Sequence, residues 1–242
     1  MLSQDSLKEF TKKFQTIEKN VVREYVQHLF LSSLYKLPEA GKLLFKGGTA
    51  LRFIYESPRF SEDLDFTGEN IYRYEIIDEL FIDVLLAIEK QGIKIDLKEA
   101  GSTTGGYLGI IHYELYDFME DMKFEISLRK NRKSAKEITT IINDYTPAYT
   151  IVSLSGAEIV RGKTAALLER KKPRDYYDIY FLLRHPHLHK FIEKNRLKEV
   201  LENLGKEKIN FKQELSVLLP VSHQMILKDF KQNLINELNG QL

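Results

Sequence analysis

The sequence predicts a mixed chain of the α/β (α+β) class, with a small mixed β-sheet flanked by helices and a helical C-terminal part. Three observations predict it. From Leu43 onward, short apolar runs of strand length alternate with longer amphipathic runs of helix length. A run of strand-length segments then follows, of which residues 123–129 alternate apolar and polar with period two. Beyond Val152 the apolar residues recur at helical spacing to the end of the chain. These shifts divide the chain into a core with N-terminal helices over 1–150 and a helical domain over 151–242.

Each element has its own signal. Residues 5–36 read as one or two helices, because Val22, Tyr25, Val26, Leu29, Phe30 and Leu34 fall on one helical face, with Glu24 and Gln27 on the other. Pro38 and Gly41 break that pattern, and Leu43, Leu44 and Phe45 form a short apolar strand. A helix follows over 49–55, ended by Ser57 and Pro58, and residues 63–66 return to a strand-like segment. Ile76, Ile77, Leu80, Phe81, Val84, Leu85 and Ile88 mark an amphipathic helix within 72–91. Residues 93–97 alternate, GSTTGG over 101–106 supplies a flexible turn, and strands follow over 107–116 and 122–128. Residues 144–148, with Pro147, read as a connection. Ser155 is a candidate cap for a helix that runs to Arg170, Pro173 interrupts, and a second helix starts near Arg174. Leucine-rich helical patterns fill the remainder from Pro186.

Composition removes several classes of function. The chain has 242 residues, 43% of them hydrophobic and 29% charged, which is long enough for one large domain or two small ones. With no Cys, disulfides, thiolate metal sites and cysteine nucleophiles are excluded. A formal net charge of +1 leaves nucleic-acid binding to local patches. The N-terminal residues carry acids and lysines where a signal peptide has an apolar core, and no run approaches the length of a membrane span; a cytoplasmic protein without membrane contact is expected.

The stretch that carries chemistry spans residues 46–66, KGGTALRFIYESPRFSEDLDF. Gly47, Gly48 and Thr49 make a turn into a helix whose exposed N–H groups and positive dipole end suit a phosphate. Asp63 and Asp65 stand at i and i+2 of a strand, so their carboxylates project from one face while Leu64 and Phe66 turn into the core. Taken singly, a Gly-Gly-Thr is a turn and a cap, and an Asp-Leu-Asp is an exposed strand end. In this order they form a phosphate cradle beside a pair of carboxylates able to hold Mg²⁺, the arrangement metal-assisted phosphoryl or nucleotidyl transfer needs. Downstream, Phe124, Ile126 and Leu128 face one way and Glu125 and Ser127 the other, so Glu125 is the candidate for a third carboxylate. The dense basic run RKNRKSAK, from Arg129 to Lys136, reads either as a solvated loop or as a contact for phosphates of RNA or a triphosphate. Lys163, Leu167 and Arg170 lie at i, i+4 and i+7, so the two cations can converge on one helix face. His185, His187 and His189 flank Pro186 at alternate positions and read as a loop rather than a metal site.

The turn followed by Asp-x-Asp resembles the signature of the nucleotidyltransferase superfamily. More narrowly, RFSEDLDF, which starts at Arg59, and KTAALLERKKPRDYYDIYFLL, which starts at Lys163, resemble two blocks of the AbiEii/AbiGii group of nucleotidyltransferase-like toxins. The resemblance covers about residues 43–183 and implies a minimal nucleotidyltransferase fold. It implies that Gly47, Gly48, Thr49 and Ser61 bind nucleotide, that Asp63, Asp65 and Glu125 bind Mg²⁺ or Mn²⁺, and that Glu125 otherwise serves as base. It implies that Lys163 and Arg170 neutralise the triphosphate, with support from Asp175 or Asp178. The implied reaction moves a nucleoside monophosphate from an NTP to RNA, the 3′ end of tRNA above all. The implied setting is growth arrest, with a cognate antitoxin as partner and the cations of 129–136 and of Arg170 to Arg174 as RNA contacts. The alternatives are the same transfer to a protein or small-molecule hydroxyl, and a non-catalytic nucleotide- or partner-binding module of the same fold.

Overall fold

The computed structural model describes residues 1–128 and 133–242. The chain forms two compact units. The first comprises residues 1–56 and 60–154, and the second residues 155–242 together with Ser57–Arg59, a three-residue excursion that nothing in the sequence announces.

The first unit opens with α1 (Gln4–Lys13), capped by Ser3, and α2 (Glu18–Leu34). A 3-10 turn leads to β1 (Leu43–Lys46), α3 (Gly47–Tyr55), β2 (Leu64–Gly68) and α4 (Glu75–Glu89). Five strands complete it: β3 (Lys94–Thr103), β4 (Gly106–Leu115), β5 (Phe118–Leu128), β6 (Lys136–Ile141) and β7 (Tyr149–Leu154). All seven strands join one mixed sheet in the order β3-β4-β5-β2-β1-β7-β6. β2 runs parallel to β5 and β1 parallel to β7, and the other neighbours are antiparallel.

Alternation decides which face is buried. Leu64, Phe66, Phe124 and Ile126 are buried beneath α2 and α4, where Phe30 and Phe81 meet the ring of Phe124 at 4.2 and 5.2 Å. Their neighbours in sequence, Asp65 and Glu125, therefore project from the opposite face.

Three expectations need correction. α2 is buried nearly all round, Glu24 and Gln27 included, so it has no solvent face. Those polar groups are tolerated because they are bonded: Glu24 pairs with Arg52, and Gln27 donates to the Ser61 carbonyl at 3.1 Å. Second, the glycine-rich stretch at 101–106 is mostly strand, and the reversal occupies only Thr104 and Gly105, the latter at φ +94°. Third, β6 and β7 fall where the sequence reading had no strands, and the chain turns helical only after Leu154. Thr150, Ile151 and Val152 are β-branched and favour a strand, but so short a run offers no clear period beside the helix that follows.

The second unit contains α5 (Gly156–Arg170), α6 (Pro173–Arg184), α7 (Lys194–Lys206), α8 (Phe211–Leu218) and α9 (Phe230–Gln241). Ser155 caps α5 by accepting from the Glu158 amide. Tyr177, Phe211 and Phe230 pack as an aromatic knot, with Phe230 4.8 Å from Phe211 and 5.9 Å from Tyr177.

Candidate active site

The register of the sheet assembles the acids. Asp65 on β2 stands directly opposite Glu125 on the parallel strand β5. Adjacent strands lie about 4.8 Å apart, so the two side chains are immediate neighbours on one face. Asp63 immediately precedes β2, two residues before Asp65. Asp63 and Asp65 are partly buried and Glu125 is exposed, which leaves the row accessible from solvent. Among the described residues no three acids or histidines are gathered closely enough to form a ready-made metal cage. The donor set still suits Mg²⁺, a hard cation commonly held by one or two carboxylates together with waters and substrate phosphates.

The turn before α3 shapes the row. Gly47 adopts φ +88°, and a Cβ added there would stand 2.0 Å from Asp65 Oδ2 and 2.7 Å from its Cγ. Only glycine lets the backbone lie against that carboxylate. Thr49 is fully buried, and its hydroxyl donates to the Asp63 carbonyl at 2.5 Å. Its side chain thus fixes the start of β2, and what α3 presents to an anion is backbone N–H. Ser61 lies in the irregular segment before β2, with its carbonyl held by Gln27.

Lys46, passed over in the sequence reading, stands opposite Asp65 on β1, the other neighbour of β2. Its ammonium donates to Ser127 Oγ on β5 at 2.9 Å, so the side chain lies across β2 on the acid face. The signal available was its position directly before the Gly-Gly turn; the strand pairing that makes it informative is long-range.

In the helical unit, Asp178 is wholly buried and holds two cations. Arg59 grips it with a two-pronged fork, Nε to Oδ1 at 2.8 Å and Nη2 to Oδ2 at 3.0 Å, and Lys163 Nζ approaches Oδ2 at 2.7 Å. Burial alone would raise the Asp178 pKa, but Arg59 and Lys163 outweigh it and hold the carboxyl below its usual range. Arg170 instead pairs with Asp175 at 2.7 Å, and Asp175 also accepts from the Lys172 amide at the start of α6. Asp178 is therefore the acid that holds Lys163, while Asp175 caps a helix and holds Arg170. The expected convergence of Lys163 and Arg170 resolves into two separate pairs between α5 and α6.

The basic runs are partly neutralised. Lys171 pairs with Glu207 at 2.8 Å and Arg174 pairs with Glu214. Arg129, Lys130, Asn131 and Arg132 lie outside the described residues, while Lys136 reaches Glu69 at 3.5 Å. His187 and His189 are engaged in local hydrogen bonds to His185, as a loop requires.

A family model described as the nucleotidyl transferase AbiEii toxin of type IV toxin–antitoxin systems matches residues 29–240. The chain belongs to this family. It is a nucleotidyltransferase of the AbiEii toxin type. Two solved structures share the fold. JHP933 from Helicobacter pylori is 22% identical, with 93% of each chain covered and a TM-score of 0.64. MenT4, a nucleotidyltransferase toxin from Mycobacterium tuberculosis H37Rv, is 16% identical, with 93% of this chain and 84% of that chain covered and a TM-score of 0.64. No curated protein sequence matches the chain. As an AbiEii toxin it takes an NTP as substrate and an antitoxin as partner. Among the described residues no helix is long and apolar enough to cross a membrane.

Proposed function

We propose that this AbiEii protein transfers a nucleoside monophosphate from an NTP to the 3′ end of tRNA, in a reaction dependent on Mg²⁺. The observation that carries the reading is the register that sets Asp65 beside Glu125, with Asp63 two residues earlier and the N-terminus of α3 backing Asp65. Asp63 and Asp65 would hold the cation, which supplies charge neutralisation at the triphosphate when bound. The backbone amides of Gly48 and Thr49 orient phosphate oxygens at the helix N-terminus. Glu125, exposed beside Asp65, either completes the ligand set or takes the proton of the attacking hydroxyl. As that oxygen bonds to the α-phosphorus, the bond to the bridging oxygen breaks and pyrophosphate leaves.

Lys163 and Arg170 are assigned to phosphate neutralisation by family resemblance. Lys163 has three donors, of which Asp178 takes one. The RNA contact is assigned by the same resemblance to the basic runs from Arg129 to Lys136 and from Arg170 to Arg174, in which Lys136, Arg170, Lys171 and Arg174 each also have an acidic partner. The setting would be the cytoplasm, with an antitoxin restraining the activity.

The test is label transfer. Purified protein is incubated with Mg²⁺, each α-phosphate-labelled NTP and total tRNA, with Asp63→Ala in parallel. Label on tRNA that the variant does not transfer is expected. Label on protein or a small molecule instead would overturn the acceptor, and no transfer with any NTP would overturn the reading.

A further inference from the structure

Asp65 and Glu125 side by side on one open face, with Asp63 two residues before Asp65, make a negative patch, and an incoming triphosphate adds more negative charge. The sheet places one cation among them by register. Lys46 is the β1 partner of Asp65, Glu125 is its β5 partner, and Lys46 Nζ reaches Ser127 Oγ at 2.9 Å on that far strand. Since β2 lies between β1 and β5, the lysine stem must cross Asp65's own strand to make that bond. The next residue, Gly47, presses its backbone against the Asp65 carboxylate, so consecutive residues bracket the same acid.

We infer that Lys46 is the resident counter-ion of the carboxylate row, so that the divalent cation enters with its nucleotide rather than ahead of it. The inference rests on the reading of Asp63, Asp65 and Glu125 as the cation site. An ammonium about 5 Å from a divalent ion repels it even through a water-like dielectric, enough to weaken binding about tenfold. A nucleotide's phosphates reverse the sign of that effect: the ammonium then faces anionic oxygens and favours the metal–nucleotide complex. A flexible four-carbon stem that ends in rotatable N–H donors suits such a swing better than a fixed guanidinium fork would.

Direct binding of Mn²⁺ to the whole chain, followed by the electron paramagnetic resonance signal of free Mn²⁺ without nucleotide, tests this. Lys46→Met and Lys46→Gln are expected to bind Mn²⁺ about tenfold more tightly than the wild type, and Lys46→Arg about equally. Adding a non-hydrolysable NTP analogue should tighten Mn²⁺ binding more in the wild type than in Lys46→Met. The glutamine variant keeps the stem's polarity toward Ser127, so it carries the test should the methionine variant fold poorly by circular dichroism. Asp65→Asn separates the two levels. If it loses Mn²⁺ binding while both neutral Lys46 variants match the wild type, the counter-ion role falls and the metal-binding reading stands. If Asp65→Asn binds Mn²⁺ as the wild type does, the carboxylate site itself falls and the inference with it.

Discussion

Gly47→Ala isolates the contact on which the acid row depends. Two costs follow from the structure. The first is backbone strain, since at φ +88° an L-residue pays about 1–2 kcal/mol. The second is collision: the new methyl would lie 2.0 Å from Asp65 Oδ2, where van der Waals contact needs well over 3 Å. Either the carboxylate or the start of α3 must retreat by more than about 1 Å, a displacement that costs on the order of 100-fold in rate when a reacting array is misplaced. Gly105→Ala supplies the control, because φ there is +94° and nothing lies within 4 Å of the added methyl. Both variants should lose a few degrees of thermal stability, about 2–4 °C per kcal/mol for a chain of this size. Only Gly47→Ala should lose about 100-fold in the initial rate of label transfer. Wild-type rates in Gly47→Ala, or an equal loss in Gly105→Ala, would refute the claim that the glycine is there for Asp65.

Three further outcomes are expected. Glu125→Gln should abolish transfer while leaving the melting temperature within about 2 °C, because the side chain is exposed and removing a surface charge costs little stability; retained turnover would show that Glu125 is neither ligand nor base. Arg59→Leu should destabilise the chain by about 3 kcal/mol in urea unfolding, since it strips the two-pronged partner from a buried carboxylate. A loss under about 1 kcal/mol would mean that Lys163 alone satisfies Asp178. The depressed Asp178 pKa also makes this stabilisation present above the unfolded carboxylate value near 4 and lost as pH falls through the folded one. His28 behaves oppositely to a surface histidine: burial first, and then Arg52, lower its pKa from 6.5 to about 3. Between those values the unfolded chain binds the extra proton, so stability should fall as pH drops below about 6.5, by about 2 kcal/mol at pH 5. His28→Phe should flatten that limb of the urea-midpoint profile, and an unchanged slope would contradict a buried neutral imidazole.

Local chemistry accounts for the parts of this protein that could be read without a structure. The Gly-Gly turn into α3, the Asp-Leu-Asp entry to β2, the Pro173 break between α5 and α6 and the Ser155 cap depend on residues a few positions apart, and the structure has each in place. Period two in 122–128 likewise announced β5 and the face that carries Glu125. What sequence could not supply is pairing over long separations. β7 is a strand because it lies parallel to β1, a partner about a hundred residues earlier, and its six residues alone are too few to outvote the adjacent helix. Glu24 and Gln27 were legible only as lying opposite the apolar face of α2, because periodicity does not see Arg52 or the Ser61 carbonyl that bond them in the interior. Lys163 and Arg170 share a helix face, yet they go to different acids because α6 offers Asp178 and Asp175 at different heights. The chemistry of the site, two carboxylates and an anion-seeking turn, was thus written locally. Glu125 beside Asp65 and Lys46 across β2 in the first unit, and Arg59 on Asp178 within the second, were decided by sheet register and burial, which bring together residues that no short-range pattern connects.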